Sequence, residues 1–244
     1  MGQRSRPRPG IFFRLVGWFG EVLITLGLLL FLFVAWQLWW TDVESNRIQS
    51  ATVNSLVDDF ERKPATPQEG EEALTPNGIP KELGKDGAFA ILRIPRFGAD
   101  YARPILEGTD YLILTKGVGH YVGTVGPGKV GNFALAGHRT TYGRPFHTID
   151  TLEVGDRIVV ETRATFYVYE VATHEIVLPS ALEVIAPVPD LPGQSPTEAM
   201  LTMTSCHPKY SAQQRYIIHA RLAATVKRAD WVPAQYLTVP PKAG

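Results

Sequence analysis

The stretch LTMTSCHPKY, residues 201–210, holds the only cysteine of this 244-residue chain. A single thiol makes no internal disulfide, so Cys206 is a reactive thiol, an intermolecular one or a buried inert residue. The thiolate is the nucleophilic form, and a free cysteine ionises at roughly 8.5, so a reactive Cys206 needs a cationic or basic neighbour. Arg215 stands a short loop further on, at the start of the run RYIIHARLAAT, and adjacent strands would bring it back towards Cys206. A guanidinium stays charged and offers five donors, which suits it to favour a thiolate and to receive an oxyanion. His138 ends the apolar run NFALAGH (132–138) and precedes the polar turn RTTYG. A strand that delivers a histidine to its end holds a general acid or base rigidly. His207 adjoins Cys206 but faces the other way along the strand; His219 reads as mid-strand and structural; His120, in a glycine-rich loop, is the remaining rival.

These side chains need strands to hold them. Alternation along residues 201–206 puts Thr202, Thr204 and Cys206 on one face and Leu201, Met203 and Ser205 on the other. Pro208 then ends regular pairing, so Cys206 lies at a strand terminus. Upstream, FAILRIP (89–95), LEVGDRIVVET (152–162) and TFYVYEVATHEIVL (165–178) read as further strands, and AMLTMTSC (199–206) and RYIIHARLAAT (215–225) close the set. Strands at this spacing with little helical periodicity give an all-β barrel or sandwich. The glycine-rich stretch ILTKGVGHYVGTVGPGKVGN reads as turn and loop.

Residues 22–40, VLITLGLLLFLFVAWQLWW, carry no charge. A helix of about 20 residues spans the hydrocarbon core of a bilayer, about 30 Å. Arg4, Arg6, Arg8 and Arg14 precede the segment and Asp42 and Glu44 follow it, which puts the N-terminus in the cytoplasm and the rest outside. A cleaved signal peptide would have a shorter apolar core and a small-residue cleavage site, which Trp39-Trp40 is not. The expected organisation is a basic cytoplasmic N-terminus (1–21), a transmembrane anchor (22–40), a juxtamembrane segment and linker (41–87), a folded domain (88–225) and a C-terminal tail (226–244). Residues 61–87, rich in proline, glycine and charge, read as a linker holding the domain away from the membrane.

The order AGHR (136–139), TMTSC (202–206) and then Arg215 resembles the sortases, whose signature is a TLxTC stretch, an arginine shortly after it and a histidine well upstream. Met203 stands where the usual residue is leucine. WWTDVES at the end of the apolar segment, GHYVGT (119–124), AGHRTTYG (136–143) and SCHP (205–208) are similar to the class E members of high-GC Gram-positive bacteria. The resemblance covers about residues 88–225. It implies a closed eight-stranded β-barrel with short helices behind a type II membrane anchor. It implies a cysteine transpeptidase that cleaves a C-terminal LAxTG or LPxTG-like sorting signal between Thr and Gly through a thioacyl intermediate. Cys206 would be the nucleophile, Arg215 the oxyanion donor, and His138 the acid and base. The partners would be secreted proteins bearing the signal and a peptidoglycan-precursor amine, from lipid II or a cross-bridge. Tyr121 would set the preference for alanine in the signal and Thr204 would line the groove. No cofactor is implied.

Formal net charge is zero, with 24 basic and 24 acidic residues, so the basic excess of a nucleic-acid partner is missing. The six histidines lack zinc spacing, no metal is implied, and no nucleotide-binding motif occurs. Two alternatives remain: a pilin-polymerising member of the same family, and a non-catalytic membrane-tethered wall module. An L,D-transpeptidase would carry its histidine just before the cysteine, whereas here His207 follows Cys206.

Overall fold

A computed structural model describes residues 10–62, 68–69, 73–231 and 233–240 of the chain. The chain divides into two compact units, Met1–Thr41 and Asp42–Gly244. Helix α1 runs Ile11–Arg62. Pro7 and Pro9 before it and Pro64 after it mark where helical pairing is disfavoured, and no proline interrupts the span between. In the first unit its most apolar 18-residue window has mean hydropathy 2.2 and is nowhere buried, so it is long and apolar enough to cross a membrane. Trp36 and Trp40 stack there, ring centroids 6.1 Å apart. The helix is longer at both ends than the uncharged run 22–40.

The second unit is a closed barrel. Its strands are β1 (Ala88–Arg93), β2 (Ala102–Glu107), β3 (Val118–His120), β4 (Gly131–Ala136), β5 (Arg157–Glu161), β6 (Thr165–Val177), β7 (Ala199–His207) and β8 (Gln214–Lys227). The order around the barrel is β1-β2-β3-β4-β7-β8-β6-β5. The pairs β2–β3 and β4–β7 are parallel; the others are antiparallel. Phe133, Leu135, Leu201, Met203 and Ile218 point inwards and are fully buried, with Tyr169 among them. Closure removes the unpaired edges that an open sheet would expose. The helices of this unit beyond α1 are single turns, such as Tyr111–Leu114.

Strands β2 and β3 were not expected from the sequence. Strand β3 lies inside the glycine-rich stretch, and packing explains it. A Cβ on Gly119 would stand 2.3 Å from the Gly108 carbonyl oxygen, so this strand needs glycine to approach its neighbour.

The described part of residues 41–87, read as a juxtamembrane segment and a linker holding the domain away, packs on the barrel, which is a second correction. Residues 42–62 continue α1, and Val53, Leu56 and Phe60 bury one face against Ala88, Ile91 and Leu106 of the barrel wall. Their spacing is one helical stripe, too sparse to stand out in a polar segment. At the far end of the stripe, Arg228 stacks on Phe60 and Phe166, 5.2 and 4.7 Å from the ring centres, and pairs with Glu161. The described part of the proline-rich stretch also lies on the barrel. Leu74 bridges Pro80, Asn77 O accepts from Gly126 N at 2.7 Å, and Ile79 joins the core. Prolines here fix a turn rather than keep a tether extended. Residues 63–67 and 70–72 of the expected linker lie outside the described residues.

Leu56→Ala therefore lowers the unfolding free energy by about 2–5 kcal/mol, the usual cost of emptying a buried leucine site. Glu44→Ala, on the same helix but away from this stripe, leaves the urea midpoint close to that of the parent. Urea denaturation of the full chain in detergent, followed by circular dichroism, checks both.

Candidate active site

The hydrophobic pattern of three strands sets the site. Strands β4 and β7 run parallel with Ala136 opposite Thr204, and Gly137 N donates to Thr204 O at 3.1 Å. Ser205 Oγ donates to Gly137 O at 2.8 Å, which extends the seam past the end of β4 and brings His138 alongside Cys206. On the other side of β7, Cys206 is directly opposite Arg215 of β8. His138, Cys206 and Arg215 thus occupy the same end of three adjoining strands. Each is half-buried, and Cys206 is a free thiol. Cross-strand neighbours of this kind have Cβ atoms about 4.5–5.5 Å apart.

His138 follows a glycine for a steric reason: a Cβ on Gly137 would stand 2.6 Å from the Phe146 ring. The imidazole packs beside Tyr142, centroids 5.2 Å apart, and its Nε2 is buried without a hydrogen-bond partner among the described residues. Burial disfavours the imidazolium and lowers the His138 pKa from its ordinary value. Arg215 Nη1 donates to Ala212 O and Gln214 O, both at 3.0 Å, so its own turn holds the guanidinium in place.

Tyr121 and Thr204 are brought together, their hydroxyls sharing a hydrogen bond of 2.9 Å. Thr204 is only 5% exposed, so it is covered rather than open to a groove; the half-buried Tyr121 is the accessible member of the pair. His120 is not near this seam chemically: it is fully buried, with Nδ1 2.7 Å from Glu107 Oε2 and Nε2 2.8 Å from Thr124 Oγ1.

Arg139 is the residue that sequence reasoning passed over. It follows His138 in the turn read as polar, yet it is 2% exposed. Its Nη1 donates to Cys206 O at 3.2 Å and to His207 Nδ1 at 2.9 Å, and its Nη2 pairs with Asp150 at 2.8 Å. Donation from a guanidinium forces His207 Nδ1 to accept, so that ring carries a proton on Nε2. His147 Nδ1 also lies 3.0 Å from Arg139 O. The signal was an arginine directly after the histidine, but its partners lie far along the chain.

The fold also assembles a carboxylate–histidine group. Glu175, Asp190 and His219 bring ligand atoms within 4.8 Å of one another, where the sequence suggested no such cluster. Asn132 donates to Val184 O and Ala186 O, Thr202 Oγ1 donates to Asn132 Oδ1, and His219 Nδ1 therefore donates to Thr202 Oγ1. His219 Nε2 faces Glu175 Oε1 at 3.2 Å. Among the described residues these three have donor atoms that suit a cation; β6–β8 pairing brings Glu175 and His219 together, and Asp190 joins from the segment before β7, 3.6 Å from His219 Nε2.

A thiol, an imidazole and a guanidinium at one end of a closed barrel define a class. The sortase domain family model matches residues 92–223, and the chain belongs to the sortase family of cysteine transpeptidases, which act on sorting-signal peptides. Its kinship is with class E. It is 36% identical over 225 residues to Sortase SrtE1 of Streptomyces coelicolor, covering 88% of this chain and 59% of that protein. It is 34% identical over 239 residues to Sortase SrtE2 of the same organism, covering 93% and 89%. The solved structure of Sortase E1 from Streptomyces coelicolor with a tripeptide in the active site is 35% identical. It aligns with a TM-score of 0.56 over 62% of this chain and 98% of that one.

Two outcomes follow from the geometry. His138 takes up its proton below 6.5, because burial penalises the cation. The unfolded chain then binds the extra proton first, so this group's share of stability is complete above 6.5 and is lost as the pH falls towards the folded value. The His138 Cε1 proton resonance reads the midpoint directly, and His138→Gln removes that part of the acid loss in Tm. Arg139→Leu leaves Cys206 O and His207 Nδ1 without their donor; at about 1–3 kcal/mol for each buried unsatisfied group, it is read as a lower urea midpoint.

Proposed function

We propose that this chain is a membrane-anchored class E transpeptidase for proteins with a C-terminal LAxTG-like signal. The observation that carries the reading is the placement of Cys206 between His138 and Arg215 at adjoining strand ends. Cys206 Sγ attacks the carbonyl of the Thr–Gly bond as the thiolate. The tetrahedral oxyanion takes hydrogen bonds from Arg215. Collapse breaks the C–N bond, and His138 as imidazolium protonates the departing glycine amine. The thioester then meets an incoming amine, from lipid II or a wall cross-bridge. His138, now neutral, accepts the amine's proton, and the thiolate leaves as the new amide forms. The lowered His138 pKa means that only part of the enzyme holds imidazolium at neutral pH. The tripeptide in the active site of the Streptomyces coelicolor Sortase E1 structure supports a peptide in this groove.

Tyr121 sets the choice of residue at the alanine position of the signal, with Thr204 fixing its hydroxyl. The helix Ile11–Arg62 anchors the protein through its uncharged run. The arginines before that run and the acids after it support a cytoplasmic N-terminus and a catalytic domain outside.

Quenched LAxTG and LPxTG peptides, offered with an amine acceptor to the full chain in detergent, test this. The expected result is cleavage between Thr and Gly, product joined to the amine, and preference for LAxTG. Cys206→Ala abolishes turnover, and Arg215→Ala lowers kcat by about 10²–10³-fold. Tyr121→Ala shifts the LAxTG to LPxTG ratio. No cleavage of either peptide by folded protein, with a thiol inert to iodoacetamide, would overturn the reading.

A further inference from the structure

We propose that residues 42–49 of α1 are a positioning clamp for His138, acting through the turn Tyr142–Gly143–Arg144. Three side chains one and two helical turns apart share a face and meet that turn. Asp42 Oδ1 accepts from Gly143 N at 3.1 Å, and Asp42 Oδ2 pairs with Arg144 Nε at 2.9 Å. Asn46 Oδ1 accepts from Arg103 Nη2 at 3.1 Å, and the same nitrogen donates to Gly143 O at 3.2 Å. Gln49, fully buried, donates from Nε2 to Tyr142 O at 2.9 Å. The helix, β2 and the turn are thereby joined at one point.

The turn needs this hold. Tyr142, Gly143 and Arg144 have φ of 54°, 75° and 48°, three consecutive positive values. A left-handed residue other than glycine is strained and persists only where the surroundings over-determine it. The fit is close: a Cβ on Gly143 would stand 3.0 Å from both Asn46 Oδ1 and Gln49 Nε2.

The turn in turn holds the imidazole. Phe146 N donates to His138 O at 3.0 Å, closing the loop on which Tyr142 sits. The Tyr142 ring lies 5.2 Å from that of His138, and its hydroxyl bonds that of Tyr111. His138 Nε2 has no hydrogen-bond partner among the described residues, so packing must supply much of the ring's orientation. Releasing the turn removes the wall against which the imidazole packs. Asp42 follows almost directly on the apolar run, so the clamp is the first part of the globular unit.

The inference rests on the transpeptidase reading for its rate effect and on the structure alone for its effect on the ring. The test uses the full chain in detergent with Gln49→Ala, Asp42→Ala, the double variant, Asp42→Asn and Glu44→Ala. The double variant is expected to lose about 10–10²-fold in kcat, as misplacement of a reacting group does, with KM within about twofold. Its His138 resonance titrates closer to 6.5 than in the parent, because the ring is less buried. Iodoacetamide still alkylates Cys206 at the parent rate. Asp42→Asn keeps an acceptor for Gly143 N and recovers most of the rate, and Glu44→Ala behaves as the parent. An unchanged kcat and an unchanged His138 midpoint in the double variant would overturn the clamp. So would equal losses in kcat and Tm with that midpoint fixed. A parent that turns over no sorting peptide refutes the transpeptidase reading instead, while the His138 resonance still decides the clamp.

Discussion

The register of β4 on β7, with β8 on the other side, is the constraint on which the site depends. Side chains alternate across a strand, so a slip by one residue would exchange the faces of the whole strand. Leu201 and Met203 of β7 and Phe133 and Leu135 of β4 are fully buried in the barrel. Reversing them would take four large apolar groups out of the barrel interior and turn Thr202 and Thr204, buried on the other face, into it without their present hydrogen-bond partners. The interior thus fixes Thr202, Thr204 and Cys206 on the outer face, and cross-strand pairing then sets Arg215 opposite Cys206. The reactive geometry is an outcome of core packing several residues away.

That same alternation explains what could be read in the sequence. The strand ending in Cys206, the return of Arg215 and the strand delivering His138 each follow from local pattern, and the long strands β6 and β8 are rich in β-branched, aromatic and aliphatic residues. What escaped depends on distant partners. Gly119 belongs to a strand only because its backbone meets the Gly108 carbonyl. Val53, Leu56 and Phe60 are three apolar positions in a charged helix, and only the barrel wall makes them a core. Composition treats residues 61–87 as unable to pack, yet a turn with one buried isoleucine is enough to seat the described part on the barrel. Thr204 followed the face predicted for it, but it is buried and its hydroxyl bonds that of Tyr121, a contact between loop and strand that periodicity does not encode.

Charge is divided with similar dependence on context. Two guanidinium groups flank Cys206. Arg139 is buried, paired with Asp150 and committed to Cys206 O and His207. Its charge is compensated, and its hydrogen bonds hold the backbone of the residue that carries the thiol. Arg215 contacts the carbonyls of its own turn, and among the described residues no carboxylate pairs with it. A cation left without a counter-ion is poised to gain most when a negative charge develops nearby, because no existing ion pair must be broken first. A carboxylate beside Arg215 would offset that gain in the ground state. The asymmetry between the two arginines therefore separates a buried, paired cation that holds the backbone of Cys206 from a half-buried one that has no carboxylate partner among the described residues.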